Sequence, residues 1–236
     1  MTPQRANNNM VTIAERLNNA YDRIAKAEQN SHKTDPVQLL AVSKTKPIEL
    51  IQQAYDAGQR LFGESYVQEA VDKVTHFKQC RDIEWHFIGP IQSNKSRHIA
   101  EHFSWVQSVD RVKIARRLNE QRPTNLKPLN VLIQVNISED ENKSGCLPAE
   151  VQALADFIHD SKQLSLRGLM TITAKTDDLL IQKQYFQQMK DCFDRLKAQY
   201  PQIDTLSMGM SGDLEPAVAA GATMVRIGTD IFGQRQ

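Results

Sequence analysis

Short apolar runs alternate with helical patterns along most of the chain. These runs predict eight strands, at 39–43, 61–63, 85–88, 105–109, 131–135, 166–172, 205–208 and 223–227. Apolar residues at helical spacing between successive runs predict a helix after most of the strands, and Asp110 is predicted to cap the helix after the fourth strand. Eight short strands that alternate with helices favour a closed α/β fold, a single (β/α)8 barrel of the TIM type, over an open doubly wound sheet.

The two ends of the chain modify this pattern. Little sequence follows the eighth strand, so an eighth outer helix has little room. Before the first strand, apolar residues recur at helical spacing, which predicts an extra N-terminal helix, and we expect that helix to cover the gap. Residues 1–9 are polar and rich in asparagine, which predicts a flexible N-terminal tail instead of a signal peptide. Residues 10–236 are predicted to form one barrel domain.

Composition and charge exclude several classes of function. The 236 residues carry a net charge of +1, which does not indicate a nucleic-acid partner. Three cysteines, odd in number and without a C-x-x-C motif, fit reduced thiols better than disulfides. Because no apolar stretch reaches membrane-spanning length, we expect a cytoplasmic protein with no membrane partner.

Lys44 is the first candidate for chemistry. It directly follows the first predicted strand, and barrel enzymes keep their active sites at the carboxyl ends of their strands. Partial desolvation there would lower the pKa of the amine, so that it could attack a carbonyl and form a Schiff base. The plain alternative is a lysine that extends into water. Lys46 has the same strand parity, but it lies beyond the strand end and before Pro47, so we prefer Lys44.

The loops after the seventh and eighth strands predict an anion site. Loop 207–212 contains two glycines and the hydroxyls of Ser207 and Ser211, and it leads into a helix. After the eighth strand, Gly228 allows close approach of the backbone and Thr229 offers a hydroxyl. Each motif alone could be a simple helix cap. Their shared location, at the usual phosphate site of this barrel, favours a bound phosphate.

Arg226 ends the eighth predicted strand and is expected to point toward the barrel mouth. Its guanidinium can donate to a ring nitrogen or an anion but cannot act as a base. An ion pair with Glu64 is the alternative. The first and eighth strands are neighbours in a closed barrel, so Lys44, Arg226 and the two loops should converge. Together they provide what pyridoxal phosphate (PLP) requires.

Seven segments resemble the pyridoxal phosphate homeostasis protein family, in order and over nearly the whole chain. They are LLAVSKTK at 39–46, FGE at 62–64, YVQE at 66–69, WHFIGPIQSNK at 85–95, LRGLM at 166–170, LSMGMS at 206–211 and MVRIGT at 224–229.

The resemblance implies a barrel like the N-terminal domain of alanine racemase, with PLP held as a Schiff base on Lys44. It implies that Arg226 faces the pyridine nitrogen, that His86 and Met170 lie near the ring, and that the loops after strands seven and eight hold the phosphate. A permanent cation beside the ring nitrogen would make the cofactor a weak electron sink. The residues predicted to bind the cofactor are Lys44, His86, Met170, Ser207, Ser211, Arg226, Gly228 and Thr229.

Three positions depart from the family pattern. Ser65 stands where asparagine is usual, Gly212 where an acidic residue is usual, and Asp230 where a small residue is usual. A carboxylate at Asp230 could weaken phosphate binding if it pointed inward. We expect it to point outward.

The favoured function is a PLP carrier for intracellular PLP homeostasis, with no demanding catalysis and with PLP-dependent apoenzymes as candidate partners. A PLP-dependent racemase or decarboxylase is the alternative. A barrel enzyme that uses Lys44 on a small phosphorylated metabolite is a third hypothesis. Racemases that resemble this barrel take a second base from another domain and a partner subunit. The chain has no length left for that domain, so we expect a monomer with an open cofactor edge.

One motif suggests metal chemistry. The segment from His98 to His102 matches H-x-x-E-H, which places two imidazoles and a carboxylate on one helical face. It falls on an outer helix, far from the strand ends and without an obvious third ligand. We therefore predict a solvated helix face and no metal.

Overall fold

The structure is a computed structural model that describes residues 11–234, so the predicted tail at 1–9 lies outside the described residues. Eight parallel strands close into a barrel in chain order, and β1 pairs with β8 to complete it. This confirms the predicted fold class. The strands are β1 (Gln38–Val42), β2 (Leu61–Glu64), β3 (Glu84–Phe87), β4 (Trp105–Val109), β5 (Leu129–Gln134), β6 (Leu164–Met170), β7 (Thr205–Ser207) and β8 (Met224–Ile227).

Helices surround the barrel. Short 3-10 turns at Ser93–Lys95 and Pro148–Glu150 each lead directly into an α-helix. The α-helices are α1 (Ile13–Asn30), α2 (Ile48–Asp56), α3 (Val67–His76), α4 (Ser96–His102), α5 (Val112–Gln121), α6 (Val151–His159), α7 (Leu179–Gln199), α8 (Leu214–Ala219) and α9 (Thr229–Phe232).

The N-terminal helix α1 covers the barrel beside α9, the four-residue helix that follows β8, as predicted for the gap at this position. It packs against α2, α8 and α9 and buries Leu17 and Ile24 among others. Its start is fixed by reciprocal hydrogen bonds: the Thr12 hydroxyl accepts from the Glu15 N–H, and the Glu15 carboxylate accepts from the Thr12 N–H at 2.7 Å. Within residues 11–234, the structure contains no helix of the length and apolarity that a membrane crossing requires.

The predicted cap at Asp110 is wrong. Helix α5 begins one residue later than expected, so its N-cap residue is Arg111. The Asp110 carboxylate accepts a hydrogen bond from the Arg111 guanidinium at 2.6 Å instead of from the helix backbone.

The barrel interior is partly polar. Two small apolar clusters fill it, one around Leu40 and Met224 and the other around Trp105 and Leu132. The inward-facing positions of alternating strand residues also bury polar side chains. These are His86, Gln107, Ser207 and Arg226. The polar interior leads to the carboxyl ends of the strands.

Candidate functional site

A cavity of about 350 Å³ opens at the carboxyl ends of the strands. Its volume is within the range of small-molecule pockets, about 300–1,000 Å³. Apolar side chains from β1 and from the loops after β3, β6 and β7 form part of the wall. The polar side chains that line it belong to Lys44, Lys46, Ser65, Ser211, Arg226 and Thr229.

The charge of this cavity is one-sided. Lys44, Lys46 and Arg226 line it, and no carboxylate does so among residues 11–234. Burial lowers the pKa of Arg226 to about 10, which still leaves the guanidinium charged at neutral pH. The cavity is therefore suited to an anionic ligand.

Hydrogen bonds hold the Arg226 guanidinium in place. Its Nη1 donates to the Ser207 hydroxyl at 2.8 Å, and its Nη2 donates to the Thr171 carbonyl at 2.7 Å. The alternative ion pair with Glu64 is wrong, because that carboxylate pairs with Lys73 at 2.8 Å. Arg226 thus reaches the cavity as a cation held by neutral groups.

Lys44 lies in a turn directly after β1. The Lys46 N–H donates to the Ser43 carbonyl at 3.0 Å and closes the turn, with Lys44 and Thr45 as its central residues. The Lys46 amine, the rival for the covalent role, donates to the backbone carbonyls of Gly233 and Gln234 at 2.8 and 2.7 Å. Those two bonds hold the Lys46 amine at the backbone after α9. The preference for Lys44 as the reactive amine stays a prediction.

The loops after β7 and β8 reach the same cavity. Gly209 has a φ of 94°, and a Cβ there would lie 2.5 Å from the Cβ of Ala217, so the turn requires glycine. A Cβ on Gly228 would lie 3.2 Å from the Val42 carbonyl oxygen. The absence of a side chain at Gly228 therefore allows the ends of β1 and β8 to approach closely. Ser211 and Thr229, from the loops after the neighbouring strands β7 and β8, line one cavity.

The structure does not bring every predicted site residue to the cavity lining. Ser207, Met170 and His86 are buried in the barrel interior. Ser207 contacts Arg226, and Met170 packs with Trp105. The predicted contacts of these three residues with a cofactor remain predictions.

His86 is linked to the candidate site only indirectly. Gln107 connects its imidazole to Ser207, and Ser207 accepts from Arg226. His86 also borders a second cavity of about 570 Å³, most of whose lining residues precede or lie near the start of a strand. That cavity lies at the amino ends of the strands, the face that serves stability in these barrels.

Sequence reasoning missed Gln107 as part of the site. It stands at the centre of β4, where all five residues are buried, and its Oε1 accepts from the Ser207 hydroxyl at 2.7 Å. The signal was available, because an amide in the middle of a buried barrel strand requires buried polar partners.

Two of the three departures from the family pattern lie at the cavity. Ser65 and Gly212 line it, and a Cβ on Gly212 would meet nothing within 4 Å. Asp230 points outward, as expected: its carboxylate is 3.4 Å from the Arg23 guanidinium of α1. It adds no negative charge to the cavity lining.

The H-x-x-E-H segment forms a compact group on α4. Ligand atoms of His98, Glu101 and His102 lie within 4.8 Å of one another, with His98 exposed and the other two half-buried. The predicted solvated helix face remains a prediction.

Comparisons with known proteins agree with this geometry. Residues 16–236 match the family described as alanine racemase, N-terminal domain. The chain is 56% identical over 230 residues to the pyridoxal phosphate homeostasis protein of Vibrio alginolyticus, covering 96% of this chain and 99% of that protein. It is 54% identical over 229 residues to the protein of that name from Escherichia coli (strain K12), covering 96% and 98%.

A solved structure is similar over the whole barrel. PipY of Synechococcus elongatus PCC7942, with PLP bound, has a TM-score of 0.82 and 36% identity, covering 94% of this chain and 100% of that chain.

Proposed function

Because the chain belongs to the alanine racemase N-terminal domain family, and within it to the pyridoxal phosphate homeostasis proteins, we propose that it binds PLP and serves intracellular PLP homeostasis without a demanding reaction of its own. The observation that carries this proposal is the cavity at the carboxyl ends of the strands, which combines three cationic side chains, three hydroxyls and no carboxylate among the described residues.

The donor set fits PLP. The hydroxyls of Ser211 and Thr229, with the backbone near Gly228, suit a phosphate, and the Arg226 guanidinium suits a ring nitrogen. Bound PLP would supply an aldehyde. The amine of Lys44 would form a C=N bond to the aldehyde carbon, and its two hydrogens would leave with the aldehyde oxygen as water.

The lining favours a carrier over a racemase. Racemisation needs an acid–base group on each face of the substrate carbon. Within residues 11–234, the titratable side chains that line the cavity are two lysines and one arginine, and Arg226 stays protonated. A cation at the ring nitrogen disfavours the protonated ring that aminotransferases use, and this feature suits a racemase as well as a carrier.

We extend the proposal to cellular context. Cytoplasmic location is supported by the cysteines, since Cys80, Cys146 and Cys192 are all unpaired. A carrier would pass PLP to PLP-dependent apoenzymes, which are the proposed partners.

Titration of the protein with PLP tests the proposal. We expect a yellow complex with the absorption band of a Schiff base. Lys44→Ala should abolish that band, whereas Lys46→Ala, the matched control on the same turn, should retain it. A wild-type mixture whose spectrum stays that of free PLP would overturn the proposal and favour an enzyme for a phosphorylated metabolite. A band that persists in Lys44→Ala would contradict the assignment of Lys44.

Incubation of the PLP complex with single amino-acid enantiomers separates the carrier from the alternative enzyme. We expect no measurable racemisation and no loss of the carboxylate. Either reaction, measured by chiral chromatography or carbon dioxide release, would favour a racemase or decarboxylase.

A further inference from the structure

The turn that carries Lys44 has an unfavourable backbone conformation. Thr45, directly after Lys44, has a φ of 62°. A β-branched residue rarely adopts this left-handed region, because its side chain crowds the backbone. Such a conformation persists only where surrounding contacts enforce it, and it is concentrated at functional sites.

Side chains from β2 and α3 hold the backbone on both sides of Lys44. On the C-terminal side, the Glu69 carboxylate accepts from the Thr45 N–H at 2.6 Å. On the N-terminal side, the Lys73 amine donates to the Ser43 carbonyl at 2.8 Å. The Ser43 hydroxyl donates to the Glu64 carboxylate at 2.6 Å.

Glu64, Glu69 and Lys73 also bind one another. The Lys73 amine lies 2.8 Å from Glu64 Oε1 and 2.5 Å from Glu69 Oε1. The side chains of Lys73 and Glu64 are only 5% and 0% exposed. Burying such charges costs desolvation, so an ion pair of this kind is weak evidence for a purely stabilising role. None of the three lines the cavity, so ligand contact does not explain them either.

We propose that Glu64, Glu69 and Lys73, together called the turn clamp, are positioning residues that hold the Lys44 turn in the conformation needed for Schiff-base formation. This inference rests on the proposed function. The clamp fixes the backbone at Ser43 and Thr45, so the Lys44 Cα is fixed between them. A nucleophile on a fixed backbone loses less conformational freedom when it reacts than one on a mobile loop.

Comparison of two ligands tests the clamp. PLP can condense with Lys44, whereas pyridoxine 5′-phosphate has an alcohol in place of the aldehyde and cannot. A positioning role predicts that Glu69→Ala raises the dissociation constant of PLP about tenfold, the effect of losing one charge-assisted hydrogen bond, and slows formation of the Schiff-base band. The dissociation constant of pyridoxine 5′-phosphate should change less than about twofold.

Matched variants sharpen the result. Glu69→Gln keeps a carbonyl acceptor for the Thr45 N–H, so it should bind PLP within about threefold of wild type. Asp204→Asn is the control, because Asp204 pairs with Arg167 at 2.6 Å at the opposite end of the barrel and should affect neither ligand. Ser43→Ala removes the link to Glu64 without changing α3. Like Glu69→Ala, it should raise the dissociation constant of PLP and change that of pyridoxine 5′-phosphate much less. It replaces Glu69→Ala if that variant fails to fold.

The contradicting outcomes are distinct. Unchanged PLP binding in Glu69→Ala and Ser43→Ala would overturn the clamp. Equal weakening of both ligands would also overturn it, because it would indicate a general effect on the cavity. If wild type binds pyridoxine 5′-phosphate but forms no band with PLP, the proposed covalent role of Lys44 fails, and the clamp fails with it.

Discussion

At the scale of single residues, His86 is the group whose charge the fold changes most clearly. Its imidazole stacks on Trp105 with ring centroids 5.0 Å apart, and Gln107 Nε2 lies 2.9 Å from its Nδ1. Burial lowers the pKa of His86 from 6.5 to about 3. His86 is therefore protonated near pH 6.5 in the unfolded chain but only near pH 3 in the folded protein. Because the unfolded state binds the additional proton, the free energy of unfolding must fall as the pH is lowered from about 6.5 toward 3.

Urea unfolding between pH 6.5 and 5 measures this effect. We expect the free energy of unfolding to fall by up to about 1.4 kcal/mol per pH unit as His86 becomes protonated in the unfolded chain. His86→Gln should flatten the dependence, because glutamine does not titrate. Equal slopes for wild type and variant would contradict the neutral buried imidazole.

The same residue shows where prediction from the sequence stops. Lys44, Ser211, Arg226 and Thr229 were predicted to converge because strand ends meet at one face of a barrel, and the structure brings them to one cavity. His86 was expected near the ring only from the family resemblance, and that contact stays a prediction; in the structure it pairs in register with Trp105, the first residue of β4. Its depth depends on the stagger of the strands, which apolar patterns do not encode.

At the scale of elements, the alternation of strands and helices could be predicted because the buried strands are short apolar runs and each helix buries one apolar face. Several strand ends in the structure differ from the predicted ends by one or two residues. For example, β1 ends at Val42, whereas the prediction ended it at residue 43. Helix α9 was not predicted, because its four residues are too few to show helical spacing. Glu69 and Lys73 were also missed, since their partners Ser43 and Thr45 lie more than twenty residues away.

Helix α1 supplies the prediction at this scale. Leu17 is 1% exposed and lies on the face of α1 that covers the barrel. Leu17→Ala should lower the free energy of unfolding by about 2–5 kcal/mol, because it removes buried apolar surface and leaves a cavity. Urea unfolding measures the loss. Asn18→Ala, at an exposed position of the same helix, should change stability by no more than about 0.5 kcal/mol. Similar values for both variants would contradict the role assigned to α1.

At the scale of the whole molecule, barrel closure bears on assembly. Every strand from β1 to β8 pairs with two neighbours, so the described residues leave no open strand edge for another chain. This excludes strand pairing as a route to assembly for the described residues, and we keep a monomer as the prediction to be tested. Light scattering coupled to size-exclusion chromatography should give the mass of one chain at micromolar concentration, and the mass of a dimer would contradict this prediction.

The central claim concerns the whole barrel, because closure brings β1 beside β8 and so places Lys44 in one cavity with Arg226 and Thr229. The most direct measurement is borohydride reduction of the PLP complex followed by peptide mass mapping. The account predicts one added phosphopyridoxyl group per chain, located on Lys44. A modification on Lys46 or Lys73, or none at all, would contradict it.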